Sequence, residues 1–237
     1  MARFDGKVVL VTGAGGNLGR TVAQAFAREG ASLALADLRE GPLHETEAGL
    51  GVDINVLSVP TDLTRSDSVS DMARRILTHF KRVDVLANIA GGFTMGPQLH
   101  ETEDKDWDFM MDLNARTVFN ACRAVIPHML EQGRGHIVNV SARAAEQGKA
   151  RMAAYCASKA AVITLTESLA AEHRFNNINV NCVLPGTIDT PQNRDAMPDA
   201  DYDNWVPTAA LADVILFLAS NAARCVSGAA IPVYGRS

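Results

Sequence analysis

Short apolar runs alternate with helical segments from one end of this 237-residue chain to the other, and that alternation restricts the fold more than any other feature. Residues 7–12, 32–37, 55–59, 83–88, 136–140, 179–184 and 230–233 are strand-length runs, apolar for most of their length. Between them, residues 20–29, 66–80, 104–131, 153–174 and 208–220 repeat their apolar side chains at helical spacing. A strand that is apolar on both faces has to be covered on both, and each right-handed crossover lays a helix on one of them. The pattern therefore predicts an α/β fold: a doubly wound, seven-stranded parallel sheet flanked by helices, in a single domain over residues 1–237. Residues 191–207 carry three prolines among Asp and Asn and read as an irregular loop over a site.

Composition matters chiefly for what it excludes. A net charge of -5 with 47% hydrophobic and 21% charged residues suits a soluble globular protein and offers no basic footprint for nucleic acid or an anionic membrane. No apolar stretch is long enough to span a bilayer, and the first residues enter a strand-like run without the apolar region of a signal peptide, so a cytoplasmic protein is expected. Cys122, Cys156, Cys182 and Cys225 form no Cys-x-x-Cys pair, and the six histidines lack metal-ligand spacing. No metal is expected, and all four cysteines read as small apolar residues.

The chemistry concentrates in two places. The first strand runs into Thr12-Gly13-Ala14-Gly15-Gly16-Asn17-Leu18-Gly19-Arg20. Glycines at a strand-to-helix turn let main chain approach a pyrophosphate, and a helix N-terminus offers unpaired N–H groups and partial positive charge. Asp37 ends the second strand, where a carboxylate would hold the adenosine ribose hydroxyls and repel a 2′-phosphate. NAD(H) is thereby preferred; Arg39, two residues on, softens the preference and keeps NADP(H) as an alternative. The second place is Tyr155-Cys156-Ala157-Ser158-Lys159, where phenol and ammonium share a helical face. A cation within about 4 to 6 Å favours phenolate, which makes Tyr155 a candidate general acid or base.

Gly13, Gly19, Asn88-Ile89-Ala90-Gly91, Asn114, Tyr155, Lys159 and Pro185-Gly186 stand in an order and spacing that resembles the short-chain dehydrogenases/reductases over nearly the whole chain. The resemblance implies a Rossmann-type fold and hydride transfer between nicotinamide and a small carbonyl or alcohol substrate. It implies Tyr155 as acid/base at the substrate oxygen, Lys159 lowering its pKa and binding the nicotinamide ribose, and Asn114 helping to hold a proton-relay water. A buried amide bridging backbone groups is the other reading of Asn114. The cofactor contacts it implies fall on Gly13, Asn17, Leu18, Gly19, Asp37, Asp62, Leu63, Asn88, Ala90, Gly91, Pro185, Gly186, Thr187 and Thr190, besides Tyr155 and Lys159. Asp62 reads equally well as a turn or capping residue near Thr64 and Ser66. Members are commonly dimers or tetramers, so a homo-oligomer is expected.

Three departures from the family's pattern stand out. Asn17 occupies a position where Gly is usual, and Asn tolerates left-handed backbone better than most residues. Ala142 replaces the serine whose hydroxyl stabilises the developing oxyanion; Ser141 is adjacent, but neighbouring residues near a strand end point to opposite sides. Tyr234 stands where Asp is frequent. The stretch Ala142-Arg143-Ala144-Ala145 and the segment from Asp189 to Asp201 also resemble dihydropteridine reductase, which implies NADH-dependent C=N reduction as an alternative. Loss of turnover, leaving a dinucleotide-binding sensor, is a further one. Ala142, Arg143 and Phe93 are the candidate substrate contacts, with Arg143, if it faces inward, suiting an anionic or carbonyl-rich molecule. Trp205 reads as packing the loop onto the domain.

Overall fold

Seven strands pair in parallel in the order β3-β2-β1-β4-β5-β6-β9, in a computed structural model that describes residues 2–51 and 53–236. They are β1 (Val8–Thr12), β2 (Ser32–Asp37), β3 (Val56–Pro60), β4 (Val85–Asn88), β5 (Gly135–Val140), β6 (Ile178–Pro185) and β9 (Ala230–Val233). Two short strands, β7 (Ile188–Asp189) and β8 (Val206–Pro207), pair separately. The helices are α1 (Asn17–Arg28), α2 (Glu40–Ala48), α3 (Ser66–Phe80), α4 (Asp104–Met111), α5 (Thr117–Gln132), α6 (Ala153–His173), α7 (Pro191–Ala196) and α8 (Thr208–Leu218). Strand order reverses between β1 and β4, which opens a crevice at the carboxyl ends of the strands there.

The period of two along each strand sorts its side chains between two cores. Val9, Val11, Leu33 and Leu35 pack with Val22 and Phe26 of α1 and Leu211 and Ile215 of α8. The intervening Leu10, Ala34 and Ala36 pack with Met72 and Ile76 of α3, Val125 and Met129 of α5, and Val162 of α6. Fully burying each of the larger side chains stabilises the fold by about 1.5 to 3 kcal/mol relative to exposure. Both faces of the sheet are covered, as uniformly apolar strands require.

Several elements differ from the sequence expectation. Glu40–Ala48 is a helix where the apolar spacing gives none; Pro42 lies in the first turn, where a missing N–H costs nothing, and only Leu43 and Thr46 are buried, too few to give a stripe. The expected single helix over 104–131 is interrupted by a π turn at Asp112–Arg116, in which the Thr117 N–H reaches back to the Asp112 carbonyl. The expected loop over 191–207 holds α7, a 3₁₀ turn at Tyr202–Asn204, and β8. Thr190 caps α7 by accepting from the Asn193 N–H at 3.2 Å, and Pro191 takes the first helical position. Trp205 is buried, as expected for a residue that packs this segment down. Cys122, Cys156 and Cys182 are buried, whereas Cys225 is exposed and is not an apolar core residue. Among the described residues no helix is long and apolar enough to cross a membrane, and no cluster of side chains could hold a metal ion.

Candidate active site

The turn after β1 is built for close approach. Gly13 has φ +64°, and a Cβ there would stand 2.7 Å from the Ala90 Cα; a Cβ on Gly19 would stand 2.1 Å from the Gly13 carbonyl oxygen. No side chain caps α1 at Gly16, so the helix presents its first N–H groups at the crevice. Asp37 Oδ2 accepts the Gly15 N–H at 3.0 Å, which fixes the carboxylate beside the turn. Thr46 of α2 donates from its buried hydroxyl to the Ala14 carbonyl at 2.9 Å and ties the turn from behind. Asn17 donates from its side chain to Gln192 Oε1 of α7, joining the turn to the segment across the crevice. These features fit a dinucleotide: an uncapped helix end for the pyrophosphate and a carboxylate for the ribose hydroxyls.

Across the switch point, Thr12 Oγ1 accepts from the N–H groups of Ile89 and Ala90 at 3.1 and 3.3 Å and holds the end of β4 against β1. Gly91 is wedged behind it: a Cβ would lie 2.8 Å from Asn114 Oδ1 and 2.9 Å from Lys159 Nζ. Asn114 is fully buried in the π turn; its Oδ1 accepts from the Gly92 N–H at 3.0 Å, and its Nδ2 donates to the Gly92 carbonyl and to Ser158 Oγ, each at 3.1 Å. Ser158 donates in turn to the Tyr155 carbonyl at 2.8 Å. Asn114, Gly91, Gly92, Ser158, Tyr155 and Lys159 thus form one braced unit. The Asn114 side chain is the bridge to backbone that its second reading described, so a relay water would have to use its main chain.

The electrostatics correct one expectation. Burial pushes the Tyr155 phenol up to about 12, and burial brings the Lys159 ammonium down to about 8. Lys159 does not depress Tyr155 here; its Nζ donates to the Val140 carbonyl at 3.0 Å, and desolvation governs both groups. Tyr155 is consequently a neutral phenol near pH 7, in the form that can give a proton.

Ser141 does not replace the missing serine. Its buried hydroxyl donates to the Lys159 carbonyl at 2.7 Å, pinning β5 to α6, while Ala142 continues as extended chain into a 3₁₀ turn at Arg143–Ala145. Phe93 is 49% exposed, with its ring edge-on to Tyr155 at a centroid distance of 4.9 Å, so it forms an apolar wall beside the phenol. The Arg143 guanidinium lies 5.0 Å from the centre of the Tyr234 ring, and the Tyr234 hydroxyl bonds to Glu146. Tyr234, which the sequence left without a role, therefore joins the C-terminal segment to the wall around residue 142.

Other expected cofactor contacts have their side chains engaged elsewhere. Asn88 is buried between the sheet and α5, donating to Asn139 Oδ1 at 2.8 Å and to Cys122 Sγ at 3.4 Å. Leu18 and Leu63 are core residues. All three could meet a dinucleotide only through main chain. Asp62 Oδ1 accepts from the Thr64 N–H and hydroxyl at 3.0 and 2.6 Å, as its turn reading described, and the Thr190 hydroxyl is the cap of α7. The Gly186 N–H bonds to the Val233 carbonyl at 3.0 Å and Thr187 accepts from the Val206 N–H at 2.8 Å, so Pro185-Gly186-Thr187 is braced at the rim. Thr12, Ser158 and Thr46 escaped sequence reasoning, because a lone hydroxyl among apolar residues gives no signal until its partner is known.

A sequence profile of the short chain dehydrogenase family matches residues 7–201. The chain belongs to that family. It is 42% identical over 192 residues to dehydrogenase/reductase SDR family member 6 of Rattus norvegicus, covering 81% of this chain and 75% of the relative. It is 35% identical over 247 residues to the 3-oxoacyl-acyl-carrier-protein reductase FabG of Thermotoga maritima, covering 98% of each. The crystal structure of carveol dehydrogenase from Mycobacterium avium in complex with NAD superposes with a TM-score of 0.91 at 27% identity, covering 99% of this chain and 98% of that one. As a member of the family the chain is a nicotinamide-dependent oxidoreductase acting on alcohol and carbonyl groups.

Proposed function

We propose that this protein is a single-domain, cytoplasmic, NAD(H)-preferring dehydrogenase/reductase of a small alcohol or carbonyl compound, with Tyr155 as its acid/base. The observation that carries the reading is the unit in which buried Asn114 and Ser158, with exposed Gly91 beside them, hold Tyr155 and Lys159 at the crevice, with the phenol kept protonated. Bound nicotinamide supplies or accepts the hydride. In reduction Tyr155 gives its proton to the substrate oxygen as that oxygen gains charge, and the phenol is reprotonated from solvent; oxidation runs the same transfer backwards. Such proton transfer is worth typically about 10²- to 10⁴-fold in rate. Lys159, held near 8, exchanges protons close to neutrality and lies against Gly91, where it can meet a ribose hydroxyl.

Asp37 supports NAD(H) over NADP(H), because a 2′-phosphate would face its carboxylate beside the Gly15 N–H. With Ala142 lacking a hydroxyl and Ser141 committed to Lys159, Tyr155 is the principal donor to the reacting oxygen. A missing oxyanion donor can cost about 10²- to 10³-fold, a loss that is smallest for a substrate that spreads its developing charge. The same Ala142 favours a second reading, reduction of a quinonoid dihydropterin, whose charge delocalises over a ring. Exposed Trp107 and Phe109 of α4 and Phe119 of α5 support a homo-oligomer, dimer or tetramer.

Tyr155→Phe is the test. An enzyme loses nearly all turnover in an NADH-oxidation screen of ketones, 3-oxoacyl thioesters, quinones and quinonoid dihydropterin, while NADH affinity stays within about twofold. Retained turnover would remove Tyr155 from the chemistry, and no turnover by the wild-type protein on any of these would favour the sensor.

A further inference from the structure

The amino-terminal edge of the sheet, at the opposite end from Tyr155, gathers positive charge around one buried acid. Asp84 precedes β4; it accepts from the Val8 N–H at 3.0 Å and from Arg82 Nε at 2.7 Å, with Lys7 Nζ at 3.6 Å and Arg134 Nε at 3.8 Å. One carboxylate thus serves three cations. Beside it is a cavity of about 240 Å³ lined by Arg3, Lys7, Arg134, Arg224, His136 and Asn179, among others, with Asp84 as the one acid in its wall among the described residues. Arg3 is matched by Glu29 at 2.9 Å, but the rest of the wall has no second carboxylate. His136 lines the same wall through its other atoms; its Nδ1 is turned away from solvent and has no hydrogen-bond partner among the described residues.

Asp84 offsets only one of the charges it gathers, so the wall keeps an excess of positive charge. Cations held a few ångströms apart repel one another, and an anion seated among them turns that cost into attraction. Guanidinium groups suit a phosphoryl group in particular, since each can donate two parallel hydrogen bonds to its oxygens. A volume of about 240 Å³ admits a phosphate or a small phosphomonoester. We propose that this cavity is a binding site for a phosphoryl dianion, separate from the dinucleotide crevice. Burial and then Lys7 lower the pKa of His136 against the smaller raising effect of Asp84, so the imidazole is neutral in the empty site, and a bound anion nearby would favour its protonated form.

The test is thermal unfolding of the full chain with saturating NADH, which occupies the crevice, titrated with inorganic phosphate and separately with glycerol 3-phosphate against sodium chloride at matched ionic strength. The expected result is a saturable rise in Tm with one or both phosphates and none with chloride. A stronger response to inorganic phosphate assigns the free ion, and a stronger response to the ester assigns a phosphorylated metabolite. Arg224→Gln, at an exposed position, should weaken the apparent affinity at least about tenfold, the scale of one lost charge-assisted contact. In parallel, the His136 imidazole resonance should shift on phosphate addition in the wild type. A rise that chloride reproduces, a rise unchanged by Arg224→Gln, or an unmoved His136 signal at saturating phosphate would each overturn the proposal. Because none of these readouts uses turnover, failure here leaves the active-site reading untouched.

Discussion

Lys159→Met should make the native protein more stable near neutral pH while abolishing its chemistry. Burial holds the ammonium at about 8, against 10.5 for an ordinary lysine. Each tenfold is worth about 1.4 kcal/mol, so keeping that group buried and charged near pH 7 costs about 3 kcal/mol. A methionine fills similar volume without the charge, and what is lost is the bond to the Val140 carbonyl, worth about 1 kcal/mol plus the desolvation of that oxygen. The net expectation is a gain of about 1 to 2 kcal/mol for the variant. The pH dependence identifies the cause. Between about 8 and 10.5 the unfolded chain still binds the lysine proton and the folded chain has released it, so wild-type stability from this group rises with pH across that window. The penalty is whole below about 8 and gone above 10.5, and the advantage of the variant should shrink and then reverse as pH climbs. Urea unfolding of both proteins near pH 7 and near pH 10 measures it, with the difference between proteins cancelling the other titrations. A variant less stable than wild type near pH 7, or one whose difference is the same at both pH values, would refute the reasoning.

Asp37→Ala should weaken NADH binding and narrow its advantage over NADPH about tenfold or more, because the carboxylate that meets a 2′-phosphate is removed; wild-type preference for NADPH in fluorescence titrations would contradict the assignment. Gly91→Ala places a methyl 2.8 Å from Asn114 Oδ1 and 2.9 Å from Lys159 Nζ, so kcat should fall by at least about 10²-fold and NADH binding should weaken with it; near-normal kcat would show the unit to be loose. Gln192→Ala removes the partner of Asn17, and stopped-flow displacement should show NADH leaving a few times faster, on the scale of one exposed hydrogen bond of about 1 kcal/mol; an unchanged rate would mean that the contact does not restrain the crevice.

The architecture was legible because its signals are local. The strand over Ser32–Asp37, the helix over Ser66–Phe80 and the strand over Ala230–Val233 fall where the apolar spacing places them, since pleat and helix pitch act over a few residues. Where the signal is not local, the reading fell short. Glu40–Ala48 has too narrow a buried face to announce itself, and the π turn at Asp112–Arg116 leaves no mark in the apolar spacing, while the Asn114 amide within it finds its partners far along the chain. The prolines of the segment after Thr190 signal a loop by themselves, and only the Thr190 cap makes Pro191 a helix start.

The candidate site divides along the same line. The glycines of the turn, Asp37, Tyr155 and Lys159 are visible in the chain because backbone freedom, strand-end position and i, i+4 spacing are properties of neighbours. Their protonation states and partners are not. Only the folded chain brings Asn114 to Ser158, 44 positions away, sends the Lys159 ammonium to Val140, and turns the Asn88 amide into the core. The sequence alone determined which groups stand at the carboxyl edge of the sheet; tertiary structure decided which of them are desolvated and where their hydrogen bonds go. Burial and long-range hydrogen bonding exist only once distant segments have excluded water together, and here they make Tyr155 a protonated acid and Lys159 a lysine close to losing its charge.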